Sequence, residues 1–153
     1  MRYPMITGHT GNDGTPNNSI KSVEKSISLG ADAFEVDVRR DENMTLVLSH
    51  DAQTQNVYDT RPRLKEVMEI ISHYPDIKIN CDLKATPLPL ETIHLAKSCG
   101  IGADRLILTG LVTPLFLSRH PEIVDLANIY INAECILEDI YMKKAKLNST
   151  QTQ

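Results

Sequence analysis

Residues 30–38 read Gly30-Ala31-Asp32-Ala33-Phe34-Glu35-Val36-Asp37-Val38, and their alternation predicts a β-strand with two unlike faces. Side chains two positions apart on a strand point to the same side, so one face is apolar and the other carries Glu35 and Asp37. A strand inside a parallel sheet is usually apolar on both faces. Two neighbouring carboxylates on an inward face repel each other unless a cation or a proton lies between them. We interpret this strand as one half of a divalent-metal site.

The rest of the chain alternates strand-like and helix-like segments. The predicted strands are residues 5–9, 33–38, 46–49, 77–83, 105–109 and 129–133, and the predicted helices lie around 20–27, 64–71, 90–98, 113–119 and 136–146. Strands joined mostly by helices indicate a parallel α/β protein, either an open doubly wound sheet or part of a (β/α)₈ barrel. A complete barrel takes about 250 residues, so a barrel of this length would lack its last two strands. We expect one domain over residues 1–147 and a polar tail over 148–153.

The composition of the chain narrows the classes of molecule that it is expected to bind. The chain has 153 residues, a net charge of −4, two Phe and no Trp, which argues against nucleic-acid binding. It contains no apolar run of membrane-spanning length and no signal-peptide pattern at its start. The three cysteines lack CxxC spacing and are predicted to be reduced thiols. We therefore expect a cytoplasmic protein that acts on a small molecule.

Polar residues gather where several predicted strands end. His9 ends the first strand, His50 and Asp51 end the third, and Asp82 and Lys84 end the fourth. Functional groups of α/β folds lie at the carboxyl ends of strands, so we expect these side chains to meet. Taken singly, each feature also fits a solvated strand or a structural histidine, and only the joint pattern favours a site.

The chemistry of that pattern suits a hard cation and an anionic substrate. Asp82 would add a third carboxylate to Glu35 and Asp37, and three carboxylates suit Mg²⁺ or Ca²⁺ better than zinc. Lys84 beside a metal would suit a phosphate. Two histidines offer a general acid and a general base near neutral pH.

These motifs resemble those of the glycerophosphodiester phosphodiesterases. The family pattern is His-Arg-Gly, Pro-Glu-Asn-Thr, Glu-x-Asp, His-Asp and Glu-x-Lys. Here it is represented, in the same order, by His9-Thr10-Gly11, Pro16-Asn17-Asn18-Ser19, Glu35-Val36-Asp37, His50-Asp51 and Asp82-Leu83-Lys84. The resemblance implies a TIM barrel of the phospholipase C-like phosphodiesterase type, with about six of its eight strands present. It also implies a divalent cation and hydrolysis of glycerophosphodiesters to glycerol 3-phosphate and an alcohol.

The resemblance also implies a role for each matching residue. The carboxylates Glu35, Asp37 and Asp82 would hold the metal, and Lys84 would contact the substrate phosphate. The histidines His9 and His50 would be the general acid and base.

The sequence departs from the family pattern at several points. Thr10 replaces the arginine, removing an expected phosphate contact that Arg39, on the same strand face as Glu35, would partly supply. Asn17 and Asp82 each replace a glutamate. The segment between Asp51 and Pro62 is short, which predicts a more open site.

Two other functions stay open at this stage. Asp82 and the short segment also fit a phospholipase D-like lyase acting on lysophospholipid or sphingolipid head groups, with a cyclic phosphate product. Thr10 and the missing strands also fit a non-catalytic remnant of the fold. An incomplete barrel further predicts self-association through exposed sheet edges.

Overall fold

The computed structural model describes residues 4–52, 60–133 and 136. The strands are Thr7–Gly8 (β1), Ala33–Arg40 (β2), Leu46–Leu48 (β3), Lys78–Leu83 (β4), Leu106–Gly110 (β5) and Asn128–Ile129 (β6). The α-helices are Ile20–Ser28 (α1), Leu64–Ser72 (α2), Pro89–Ser98 (α3) and Pro114–Arg119 (α4). Short 3₁₀ turns cover Asn12–Gly14 and Pro121–Asp125.

The strands form one sheet in the order β1-β2-β4-β5-β6, and all four pairings along this path are parallel. β3 lies off the path and pairs antiparallel with the end of β2. A tight turn at residues 41–45 joins β2 to β3, where the Asp41 side chain accepts hydrogen bonds from the backbone N–H groups of Asn43 and Thr45. A turn this short cannot make the crossover that a parallel neighbour requires. Five of the six strands therefore form the parallel sheet, which is not closed in the described part of the chain.

One face of the sheet packs against the helices. α2 shows the clearest amphipathic pattern, because Leu64, Val67, Met68 and Ile71 repeat at helical spacing and are all fully buried. β4 alternates fully buried apolar residues with half-buried polar ones. The apolar residues Ile79, Cys81 and Leu83 therefore face the core, which leaves Asn80 and Asp82 for the opposite face.

The ends of the predicted elements differ from the observed ones at both termini. The strand predicted over 5–9 is reduced to Thr7–Gly8, and the one predicted over 129–133 is replaced by Asn128–Ile129. The predicted helix 136–146 lies outside the described residues except for its first residue, and the predicted tail 148–153 lies wholly outside them. None of the helices in the described segments has the length and apolar character needed to cross a membrane.

Candidate active site

Strand register brings the three candidate metal ligands together. Asp37 of β2 is the direct Cα partner of Asp82 on β4, and Glu35 precedes Asp37 by two residues on the same face. One carboxylate oxygen from each of the three residues lies within 4.8 Å of the others. This cluster lies near the carboxyl ends of two adjacent parallel strands, where α/β folds place their sites.

The carboxylates of β2 are shielded from solvent. Glu35 is 9% exposed and Asp37 is 4% exposed. Burial raises the pKa of Glu35 above its ordinary value, and the negative charges of Asp37 and Asp82 add to that rise. The backbone N–H of Thr10 and the neighbouring His9 act in the opposite direction. A buried carboxylate whose ionised form is disfavoured gains from a nearby positive charge.

Lys84 supplies one such charge. Its Nζ lies 2.8 Å from Asp82 Oδ2 and 3.1 Å from Asp37 Oδ1. Burial alone lowers the pKa of Lys84, but its hydrogen bonds with Asp82 and Asp37 outweigh this and raise the pKa overall. The ammonium group is therefore held charged against two of the three carboxylates.

His9 stands at the open side of the cluster. Its side chain is 79% exposed, and its Nε2 lies 3.6 Å from Glu35 Oε2. Its Nδ1 lies 2.8 Å from the backbone oxygen of Thr10. A carbonyl oxygen only accepts, so Nδ1 must carry the proton, and Nε2 is the ring nitrogen available for proton transfer.

His50 reaches the same edge of the sheet because β3 returns antiparallel along β2. The N–H of Ser49 donates to the backbone oxygen of Asp37, which places His50 beside the carboxyl half of β2. Its Nδ1 lies 2.8 Å from Asp51 Oδ1, forming an exposed His-Asp pair. Arg39 Nε donates to the backbone oxygen of His50 at 2.8 Å. Arg39, predicted as a phosphate contact, thus also ties the end of β2 to this histidine.

A small cavity lined mostly by charged residues adjoins this edge. It has a volume of about 140 Å³, and its lining combines three arginines with two acidic and two small residues. These are Arg39, Arg40, Arg61, Asp41, Glu42, Ala52 and Ala85. Arg40 is engaged by Glu91 in an ion pair.

Two further residues contact the carboxylates, and sequence reasoning did not assign them this role. The backbone N–H of Thr10 donates to Glu35 Oε2 at 3.3 Å. Asn18 Nδ2 donates to Asp37 Oδ2 at 2.8 Å, and Asn18 Oδ1 accepts from the backbone N–H of Asp37 at 3.0 Å. The only sequence signal was their position inside the His9-Thr10-Gly11 and Pro16-Asn17-Asn18-Ser19 motifs.

The donor set fits a hard divalent cation. All three groups are carboxylates, the ligand type that Mg²⁺ and Ca²⁺ prefer. Asp82 Oδ1 is buried and has no hydrogen-bond partner within the described segments. Buried polar atoms are almost always paired, so an unpaired buried carboxylate oxygen on a residue of this cluster fits a cation-binding role. The cluster of Glu35, Asp37 and Asp82 could hold such an ion.

Gly110 lets the chain approach Asp82 closely. A Cβ atom at this position would lie 2.1 Å from Asp82 Oδ1 and 2.5 Å from the backbone oxygen of Leu83. The φ angle of Gly110 is 78°, in the left-handed region that favours glycine. A glycine at the end of β5 thus makes room for the aspartate side chain.

Solved structures show where this fold occurs. The chain matches a glycerophosphodiester phosphodiesterase from Agrobacterium tumefaciens with 19% identity and a TM-score of 0.63, over 78% of this chain and 64% of that one. It matches a glycerophosphodiester phosphodiesterase from Thermotoga maritima with 18% identity and a TM-score of 0.63, over 94% and 72%. A third match is an Oleispira antarctica phosphodiesterase in complex with the product sn-glycerol-3-phosphate, with 18% identity and a TM-score of 0.54, over 93% and 81%.

These matches confirm the barrel-type α/β fold and its incompleteness. The chain spans 64% of the length of the Agrobacterium protein, in keeping with the open sheet. No curated protein sequence matches the chain significantly. The model of the glycerophosphoryl diester phosphodiesterase family, however, matches residues 8–90, which is more than half of the chain and includes every candidate site residue. The motifs at the strand ends and this match agree, and the chain belongs to the glycerophosphoryl diester phosphodiesterase family.

Proposed function

We propose that the chain carries the site of a metal-dependent phosphodiesterase that cleaves glycerophosphodiesters to glycerol 3-phosphate and an alcohol. The observation that carries this proposal is the meeting of three carboxylates, Lys84 and His9 at one edge of the sheet. Family membership and the glycerol 3-phosphate bound to the Oleispira phosphodiesterase support it.

We assign the cation site to Glu35, Asp37 and Asp82, with Mg²⁺ or Ca²⁺ as the ion. When bound, the cation would neutralise negative charge on the phosphodiester as charge builds up during the reaction. Lys84 would contribute a second positive charge at the same phosphate, because its Nζ already lies against two of the ligands.

The two histidines would move the protons. One takes a proton from the attacking oxygen, which is a water molecule or the 2-hydroxyl of the glycerol. The P–O bond to the alcohol then breaks, and the other histidine donates a proton to the departing oxygen. Where the 2-hydroxyl attacks, this step leaves a cyclic phosphodiester, and a water molecule then opens the ring to give glycerol 3-phosphate. The Nδ1–H of His9, held by the Thr10 carbonyl, leaves Nε2 as its reactive nitrogen. Asp51 orients His50 in the same way.

The test is release of glycerol 3-phosphate from glycerophosphocholine or glycerophosphoethanolamine with Mg²⁺ or Ca²⁺. Glu35→Ala should abolish release, because it removes a buried ligand of the cluster. Glu24→Ala, at an exposed position of α1, is the matched control and should leave release unchanged. Absence of product from every glycerophosphodiester at saturating cation would refute the substrate assignment, and unchanged turnover in Glu35→Ala would refute the ligand assignment.

A lyase that forms a cyclic phosphate is the second candidate. Asp82 in place of the family glutamate is the observation that favours it. In the lyase reaction a substrate hydroxyl attacks the phosphorus and stays attached, so no water is consumed. Phosphorus NMR of the product separates the candidates, because hydrolysis gives a phosphomonoester and the lyase gives a cyclic phosphodiester.

We further propose a reducing, cytoplasmic setting and association through the sheet edges. Both described cysteines, Cys81 and Cys99, are free thiols. Within the described segments, β1 and β6 form the two ends of the sheet path, and Ile6 and Tyr130 beside them are 63% and 58% exposed. Light scattering at several protein concentrations would test the association, and a constant monomer mass would refute it.

A further inference from the structure

The two carboxylates of β2 are joined by a continuous path of hydrogen bonds through Thr10 and Asn18. The path begins at Glu35 Oε2, which accepts from the backbone N–H of Thr10 at 3.3 Å. The Thr10 hydroxyl oxygen accepts from the backbone N–H of Asn18. The Asn18 side chain then makes two hydrogen bonds with Asp37, at 2.8 Å to its carboxylate and 3.0 Å from its backbone N–H.

The two residues of this path are buried, and one of them has an uncommon backbone conformation. Thr10 is 8% exposed and Asn18 is 9% exposed, so water does not readily replace these bonds. Asn18 has a φ of 50°, an uncommon value for a residue other than glycine. In this conformation the Asn18 side chain makes two hydrogen bonds with Asp37. Together they fix the rotamer of Asn18 and the position of one Asp37 carboxylate oxygen.

Thr10 stands where the family pattern has arginine, and the substitution changes the chemistry of the position. An arginine side chain has five N–H donors and no acceptor, so it could not accept a hydrogen bond from the Asn18 backbone. A hydroxyl group can. The loss of a phosphate contact at this position therefore comes with a new bond between the loop that carries His9 and the loop that precedes α1.

We infer that Thr10 and Asn18 are positioning residues that hold Glu35 and Asp37 in the geometry needed to bind a divalent cation. Donors that bond the ionised form of a carboxylate favour that form, and they restrict the oxygens before the cation arrives. The inference rests on the cation site of the proposed function, but it does not require that the bound cation supports hydrolysis.

The test measures binding of Mg²⁺ and Ca²⁺ alone by isothermal titration calorimetry, on variants whose folding is checked by circular dichroism. Thr10→Val keeps the side-chain shape but removes the acceptor, and it should weaken cation affinity by about tenfold, in the range seen when partners of metal ligands are removed. Thr10→Ser retains the acceptor and should bind close to the unchanged protein. Rescue by serine separates loss of the hydrogen bond from general disturbance of the loop.

The chain offers a matched control for the threonine change. Thr92 is fully buried, and its hydroxyl has no hydrogen-bond partner in the described segments. Thr92→Val makes the same chemical change in α3 and should leave cation affinity unaltered. A second variant, Asn18→Gly, tolerates the positive φ and removes both bonds to Asp37, so it gives an answer even if Thr10→Val does not fold.

The outcomes separate this inference from the proposed function. Unaltered cation affinity in Thr10→Val or in folded Asn18→Gly would overturn the inference. Absence of cation binding in the unchanged protein would overturn both the inference and the proposed metal site. Cation binding that follows the expected order of variants, without any glycerophosphodiester hydrolysis, would support the inference and overturn the proposed function.

Discussion

Replacing Lys84 with methionine should destabilise the cation-free protein far more than an equivalent change at the surface. The ammonium group lies 2.8 Å from Asp82 Oδ2 and 3.1 Å from Asp37 Oδ1. At an effective dielectric constant of about 20, each contact corresponds to roughly 5 to 6 kcal/mol of gross attraction before desolvation is subtracted. Methionine keeps most of the apolar stem but leaves Asp37 and Asp82 without this ion-pair partner.

The net effect is smaller than the gross attraction. Removing one partner of a buried ion pair typically destabilises a protein by about 3 to 5 kcal/mol. The side chains of Lys84 and Asp82 are each 23% exposed and that of Asp37 is 6% exposed, so solvent screens part of the interaction. We expect a loss of about 2 to 3 kcal/mol in the free energy of unfolding, given this partial exposure.

Urea unfolding in EDTA measures this loss. With a urea dependence of about 2 kcal/mol per molar, the midpoint should fall by about 1 to 1.5 M. Lys25→Met is the control, because Lys25 Nζ lies 2.8 Å from Asp13 Oδ2 but the two side chains are 38% and 57% exposed. The control should lose no more than about 0.5 kcal/mol, as exposed pairs do. Equal losses in the two variants would refute the argument that burial of the cluster sets the energy.

A second arm of the same experiment adds Mg²⁺ or Ca²⁺. Lys84 occupies oxygens of Asp37 and Asp82, so it competes with a cation for them. The gain in unfolding free energy from saturating cation should therefore be larger in Lys84→Met than in the unchanged protein. A smaller gain would show that Lys84 does not compete with the cation at this cluster.

Two further predictions concern the carboxylate cluster and the glycine beside it. Because burial raises the pKa of Glu35 above 4.5, the folded state holds this proton more tightly than the unfolded state does. The contribution of Glu35 to stability therefore falls as pH rises from about 4.5 through the raised pKa. Glu35→Gln, followed by urea unfolding in EDTA, should gain stability relative to the unchanged protein across that window. A difference in unfolding free energy that stays constant with pH would contradict burial of Glu35 as the cause. Gly110→Ala should weaken cation affinity in calorimetry and destabilise the protein, since its Cβ would meet Asp82 Oδ1 at 2.1 Å. Gly100→Ala is the control, because Gly100 has a similar φ of 75° but no atom within 4 Å of the added Cβ; equal effects would show that backbone strain alone is responsible.

The carboxylate pair on β2 could be predicted from sequence because its evidence is local. Alternation along one strand places Glu35 and Asp37 on the same face whatever the neighbouring strands are. The apolar stripe of α2 is local in the same sense, and the predicted helix agrees closely with Leu64–Ser72. The pairing of Asp37 with Asp82 is different, because it depends on the register of two strands that are far apart in sequence.

The direction of strand β3 also could not be predicted from a local sequence pattern. The segment at 46–49 reads as a strand in either direction, and only the short turn at 41–45 suggests its antiparallel return. That return is what places His50 beside β2 rather than on the next strand of the parallel path. At the ends of the sheet path in the described residues, β1 and β6 have two residues each, as edge strands are often very short.

Thr10 shows why a departure from a family pattern cannot be judged from the substituted residue alone. Read as a sequence, threonine in place of arginine removes a phosphate contact and favours loss of function. In the structure the hydroxyl accepts from Asn18, and Asn18 in turn holds Asp37. Neither bond is visible in the sequence, because each joins residues that only the fold brings together, and Asn18 makes them with a left-handed φ of 50°. If the proposed site is right, the substitution exchanges a substrate contact for a bond that positions the carboxylates, and cation affinity tests this change more directly than turnover does.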